Sequence, residues 1–301
     1  MTRLAVLADL NTWCGPRHHQ RWSPLWRPLE KGLSTTGQRQ ALVILKSMFD
    51  FFVSQNYSMG NPFAAVAKPT TVQRALGSTK TLTFAQWDFL NAQLNGHHES
   101  EPARRLRRAM RLLYATGLRL DEITHATTDD LQRITVQTAS GSAEGWLLTV
   151  VGKGDRLREV PVPETFVEDF EEELRLHGFE GNIKAVSNNQ MRLLARFELG
   201  AAQPLPWSAS GLYKAIVRFA GNASLNVDAP DAPRLRKATT HWLRHTHASH
   251  ALHGRQGRAP VPIQFVQNNL GHSSVGTTSG YLTTERDARV LAMEGFWGAA
   301  S

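Results

Sequence analysis

The sequence predicts a mainly α-helical chain with one small antiparallel sheet, an α+β protein organised as two domains. Three observations carry that expectation. Apolar residues recur at helical spacing along most of the chain, as in Ala41, Leu42, Leu45, Met48, Phe49 and Phe52. Between residues 131 and 162 the period changes to two and β-branched residues accumulate. A polar stretch without a clear period, carrying Pro69 and Gly77, separates the first helical pattern from the rest. The expected layout is a helical domain over 1–68, a linker over 69–80, and a larger domain over 81–301 that ends in a helix.

The elements follow in order. Residues 1–33 hold Trp13, Trp22 and Trp26 among prolines, and read either as a packed irregular segment or as helices broken at Pro16 and Pro24. Ser34, Thr35 and Thr36 are N-cap candidates for the first clear helix, which Asn56 to Pro62 ends. Thr83 caps a helix to about Leu94. Over Pro102 to Ala115, Leu106, Ala109, Met110 and Leu113 share one side. Arg104, Arg107, Arg108 and Arg111 share the other, a face that suits either phosphates or plain solvent. Leu131–Gln137, Trp146–Val151 and Leu157–Val162 alternate as three strands. Gly141 and Gly145 mark the first turn, and Gly152-Lys153-Gly154-Asp155 the second.

Pro163 to His177 is an acidic helix, and 178–206 carries no clear pattern. Ser208 or Ser210 caps a helix that sets Lys214 and Arg218 on one face, and Gly221 to Pro233 reads as a loop. Helices follow over His241 to Leu252 and Pro262 to Leu270, with Gly271 at the C-cap of the second. A short helix from Ser273 or Ser274 leads to Tyr281, and Ala288, Leu291 and Ala292 space out a further amphipathic helix in the tail.

Composition narrows the class. A chain of 301 residues has room for two cores. Lys and Arg number 34 against 26 Asp and Glu, a formal charge of +8 that favours a polyanionic partner. The single cysteine, Cys14, excludes an internal disulfide and fits a reducing compartment. No apolar run approaches the ~20 residues of a membrane span. The Leu4–Leu10 stretch contains Asp9 and lacks a signal-peptide cleavage site. A cytoplasmic protein without a membrane partner is expected.

Candidate chemistry gathers between His241 and Tyr281. Arg244 can fork two N–H donors onto phosphate oxygens. His241 and His272 can donate to the same phosphate or accept a proton near neutral pH. Tyr281 can act as a nucleophile once deprotonated. With an ordinary pKa of about 10, only about one phenol in a thousand is ionised at pH 7. A base and clustered cations are needed, so a second basic group is predicted upstream. Arg119 follows Gly117 at a break between two helical patterns, and Lys153 stands between two glycines at a turn. A zinc site is disfavoured, because Trp242 stands where an HExxH motif needs glutamate.

Arg119, Lys153, His241-x-x-Arg244, Leu270-Gly271-His272 and Tyr281, in that order and with Tyr281 nine residues after His272, resemble the catalytic set of tyrosine site-specific recombinases, the phage integrases and their relatives. The resemblance runs from about Leu82 to Thr284. More loosely, the preceding segment is similar to the end of that family's helical core-binding domain. It implies a core-binding domain and a catalytic domain that clamp double-stranded DNA between them. By the same resemblance Tyr281 attacks the scissile phosphate and forms a 3′-phosphotyrosyl link. Arg119 and Arg244 hold the non-bridging oxygens, His241 takes the phenol proton, His272 supports the phosphate, and Lys153 protonates the leaving 5′ oxygen. No metal, ATP or other cofactor is implied. Glu122 matches the acidic residue usual three places after the first arginine.

Strand exchange implies a homo-oligomer, four protomers on two sites, formed on DNA by a chain that is monomeric or weakly associated when free. The tail is then expected to dock on a neighbouring protomer. Candidate DNA contacts are Arg39, Arg104, Arg108, Lys214 and Arg218. One departure is that Leu282-Thr283-Thr284 follow Tyr281, where the family often has a histidine. Two alternatives remain: a type IB topoisomerase, which makes the same link without exchanging partners, and a DNA-binding relative without the chemistry.

Overall fold

A computed structural model of the chain describes residues 14–16, 18–69, 80–96, 100–138, 141–152, 154–198, 204–228, 230–254, 259–271, 290 and 293–297. The chain divides into two compact units, residues 1–77 and 78–301.

The first unit is built on α1 (Thr35–Ser54), whose N-cap Ser34 accepts a hydrogen bond from the Gly37 N–H at 3.2 Å. Asn56 ends the helical run with a φ of 60°, a left-handed conformation that asparagine adopts more readily than most residues. Asn61 ties the next turn back, its amide donating to the Lys46 carbonyl at 2.9 Å and to Asp50 Oδ1 at 2.7 Å. The Phe63 ring packs 5.3 Å from Phe49. Of the expected apolar face, Leu42 is buried while Met48 stays exposed. Residues 18–33 form turns and bends rather than helices, and the Gly15 N–H donates to the Leu29 carbonyl at 2.8 Å.

In the second unit the order is α2 (Phe84–Gly96), α3 (Glu101–Thr116), α4 (Leu120–His125), β1 (Leu131–Thr138), β2 (Gly141–Val151), β3 (Leu157–Val162), α5 (Glu164–Leu176), β4 (Ala195–Arg196), β5 (Leu205–Pro206), α6 (Ala209–Ala223), α7 (Ala232–Leu235), α8 (Thr240–His253) and α9 (Ile263–Leu270). Helix α3 runs through the middle and packs against α2, α5, α8 and β3. Its Ala109, Met110, Leu112 and Leu113 lie in one core with Leu90, Phe170 and Leu243. No helix among the described residues is long and apolar enough to cross a membrane.

The arginine face of α3 needs correction. Arg104 forks onto Glu173 of α5, with Nε to Oε2 and Nη2 to Oε1 both 2.9 Å. Arg108, only 3 % exposed, donates to the same carboxylate through Nη1. Arg105 lies 4.3 Å over the Trp207 ring. Arg111 donates to Asn91 Oδ1 at 3.0 Å and to Asn95 Oδ1 at 2.7 Å on α2. Burying a guanidinium without a partner is costly, and a carboxylate from α5 meets that need. Arg104 and Arg108 therefore hold two helices together, and the expectation that they contact DNA is withdrawn.

Strands β1, β2 and β3 form an antiparallel sheet in that order, with Leu131 opposite Leu148 and Leu148 opposite Val160. The second turn sits where the glycines placed it. Gly154 and Asp155 have positive φ, and the Gly152 N–H donates to the Arg156 carbonyl at 2.8 Å. Gly145 is not a turn residue: it pairs with Ile134 inside the sheet. A side chain there would bring its Cβ within 2.7 Å of Val290, which explains the glycine.

Two stretches that looked irregular in sequence prove structured. Ile183, Met191, Leu193, Leu194 and Phe197 are buried in the core without forming a long element. Helix α6 continues to Ala223, and a short turn leads to α7, so 221–233 is not one loop. Of the tail, residues 290 and 293–297 are described. Met293, Phe296 and Trp297 are buried in their own unit's core. The Trp297 indole N–H donates to the Ala115 carbonyl at 2.9 Å. These three residues are packed within their own unit, and the rest of the tail expected to dock on a neighbour lies outside the described residues.

Candidate active site

Helix α3 ends at Gly117 in the left-handed region, φ 65°. A Cβ there would meet His247 Cδ2 at 2.6 Å and Leu270 Cδ2 at 2.9 Å, so both backbone and space require glycine. The break lets the chain turn and start α4, with Arg119 as its N-cap residue. Glu122 closes that turn: its Oε2 accepts the Arg119 N–H at 2.8 Å and its Oε1 the Arg119 Nη1 at 2.8 Å. The Arg119 side chain remains 37 % exposed, and its other N–H groups make no hydrogen bond among the described residues. Arg119 lines an open cavity of about 420 Å³ together with Asp121, Glu122, Asp130, Val151 and Gly152.

Arg244 arrives from α8, whose N-cap Thr239 accepts from the Trp242 N–H at 3.4 Å. Its Nη1 donates to the Gly117 carbonyl at 2.6 Å, and its Nη2 to the Leu270 carbonyl. These two contacts use part of a group with five N–H donors, which leaves others for a ligand. Burial, then the nearby charge of Arg119, pull its pKa down to about 10 against the opposing pull of Glu122, so it stays cationic at neutral pH.

His241 lies one turn before Arg244, and its Nε2 is 2.9 Å from His245 Nε2. Its ring reaches solvent, yet partial burial, then the charges of Arg244, Lys80 and Arg119, push its pKa below the ordinary value. The imidazole is therefore neutral near pH 7 and keeps one unprotonated ring nitrogen as a proton acceptor. Deeper on the same helix, His247 Nδ1 donates to the Tyr114 carbonyl at 2.8 Å. Full burial drives its pKa down to about 4. His250 donates through Nε2 to the Leu82 carbonyl at 2.9 Å, which leaves Nδ1 to accept from the Tyr114 hydroxyl at 3.0 Å. These buried histidines fix α8 against α3. Among the described residues no group of three or more His, Cys, Asp or Glu could hold a metal ion.

Arg119, His241 and Arg244 are thus brought within electrostatic reach of one another. Lys153, His272 and Tyr281 lie outside the described residues. Their neighbours Gly152 and Gly271 are described, and Gly152 lines the same cavity as Arg119. Lys214 and Arg218 stand exposed on α6, and Arg39 on α1. Lys80 escapes sequence reasoning: it falls in the expected linker, although its charge bears on His241. Arg158 belongs to Arg158-x-x-Pro161, which the family resemblance picks out after the Gly-Lys-Gly turn without giving the arginine a role, and its bonds to Glu122 and to the Asn269 carbonyl have no local signal in the sequence.

The phage integrase family model matches residues 80–287. A tyrosine recombinase XerD of Halalkalibacterium halodurans is 28% identical over 258 residues, covering 85% of this chain and 74% of that protein. The XerD of Yersinia pestis is 28% identical over 262 residues, covering 86% and 75%. Among solved structures, the XerH site-specific recombinase bound to palindromic difH substrate superposes with a TM-score of 0.53 at 18% identity, over 85% of this chain but only 62% of that one. The Tn1549 transposon integrase in complex with transposon right end DNA gives a TM-score of 0.52 at 19% identity, over 85% of this chain and 80% of that one. At these identities the structural likeness establishes the fold.

Proposed function

Because this chain belongs to the phage integrase family, whose model spans residues 80–287, we propose that it is a site-specific recombinase that cuts and rejoins double-stranded DNA through a tyrosyl intermediate. The observation that carries the reading is the convergence of Arg119 and Arg244 through Gly117 and Glu122. Two guanidiniums with unused donors beside a neutral imidazole suit a phosphodiester that gains negative charge as it is attacked.

In this mechanism the Tyr281 phenol oxygen attacks phosphorus and its proton passes to His241. The P–O5′ bond breaks, and Lys153 gives a proton to the departing 5′ oxygen. Arg119 and Arg244 bind the non-bridging oxygens, and His272 donates to the same phosphate. A 5′ hydroxyl from a second strand reverses the step, so rejoining needs no external energy source. The formal +8 charge supports a DNA partner, with Lys214, Arg218 and Arg39 as phosphate contacts. Exchange between two duplexes calls for four protomers.

A strand-exchange assay tests this reading. Two labelled duplexes of different length carry a target site selected by binding, without ATP and in excess chelator. Recombinant lengths are the expected products. Relaxation of supercoiled plasmid without any exchange would instead favour the topoisomerase alternative.

A further inference from the structure

We propose that Arg158 is a positioning residue that fixes three parts of the active site at once, an inference that rests on the function proposed above. Its guanidinium forks onto Glu122, with Nη1 to Oε1 at 2.9 Å and Nη2 to Oε2 at 2.6 Å. The same Glu122 accepts from Arg119. Arg158 Nε donates to the Asn269 carbonyl at 2.9 Å, at the end of α9. The side chain also lies against two glycine backbones. A Cβ on Gly152 would stand 3.0 Å from Arg158 Nη1. One on Gly271 would stand 3.2 Å from Arg158 Cδ and Nε.

These contacts have one feature in common. Gly152 immediately precedes Lys153, Gly271 immediately precedes His272, and Glu122 braces Arg119. One planar group thus sets where two chain segments stand just before Lys153 and His272, and holds the carboxylate that braces Arg119. The pair with Glu122 is largely buried, its side chains 10 % and 5 % exposed. A buried ion pair is a weak source of net stability compared with apolar packing, so the geometric role accounts better for an arginine here. Lysine can keep the charge but cannot make the fork and the third bond together.

The test uses the full chain and a duplex nicked just beyond the cleavage point, on which cleavage leaves a covalent adduct. Arg158→Lys is compared with Arg104→Lys, which loosens another largely buried fork, on Glu173, away from the site. All rates are taken well below each melting temperature. Arg158→Lys is expected to bind DNA like the parent and to cleave on the order of 10- to 100-fold more slowly. Arg104→Lys is expected to cleave at the parental rate.

A substrate with a 5′-bridging sulfur, which leaves without needing a proton, should restore Lys153→Ala almost fully but Arg158→Lys only in part, because Arg119 is displaced as well. Equal slowing of Arg158→Lys and Arg104→Lys, or a parental rate in Arg158→Lys, overturns the inference while leaving the reaction standing. A parent that forms no adduct overturns the proposed reaction and the inference with it.

Discussion

The Arg244 guanidinium donates to the carbonyl of Gly117 at 2.6 Å, two residues before Arg119. One residue without a side chain therefore sets the spacing between the two arginines of the site. Gly117→Ala combines a left-handed alanine with a Cβ driven into His247 and Leu270. We expect a stability loss of roughly 2–4 kcal/mol. Thermal melts should register this, and DNA cleavage at a temperature where the variant is still folded should fall further than its folded fraction explains.

The Arg104 and Arg108 pairs with Glu173 make a structural prediction and a binding one. Glu173→Ala leaves Arg108 buried without its carboxylate and should cost about 3–5 kcal/mol in denaturant unfolding. Affinity measured against salt should behave differently. Removing Lys214 or Arg218 should reduce the steepness by about 0.9 for each phosphate no longer neutralised. Arg104→Lys should leave the slope unchanged.

Acid should unfold the second unit in two stages. Burial lowers the pKa of His247 from 6.5 to about 4, so its contribution is intact above pH 6.5 and declines as pH falls towards 4. Burial pushes Glu122 and Glu173 upward, but their arginine partners prevail and hold both at about 2 rather than 4.5. Their contribution is present above pH 4.5 and is lost as pH falls towards 2. Melting temperatures of His247→Gln should lack the first decline and keep the second.

The tail prediction follows from Trp297. Its indole fills the core and donates to the Ala115 carbonyl, one residue before the end of α3. Trp297→Ala should destabilise the isolated subunit by about 3–5 kcal/mol. Chemical denaturation at protein concentrations low enough to exclude association separates this from an effect on assembly.

Much of the fold was legible where period and turn chemistry agree. The first and third strands, the Thr83, Ser208 and Gly271 caps and the Gly152–Asp155 turn appear where alternation and glycine placed them, whereas the second strand begins at Gly141, five residues earlier than alternation shows. What periodicity could not show was partners distant in sequence. The arginine side of α3 looked solvated because Glu173 lies 69 residues from Arg104. Residues 183–197 are core without a repeating element, so no period marks them. In the site, residue type and spacing singled out Arg119, His241 and Arg244. The tie between Arg158 and Asn269 spans 111 residues and leaves no local trace.

The central claim is that Tyr281 becomes bonded to DNA. On a duplex nicked just beyond the cleavage point, the parent should become trapped, and proteolysis of the adduct should yield the Tyr281 peptide joined to a 3′ phosphate, with a free 5′ hydroxyl on the released strand. Tyr281→Phe removes one oxygen and should bind the same duplex without any adduct. An adduct that persists in Tyr281→Phe, or one that maps to a 5′ phosphate, would contradict the account.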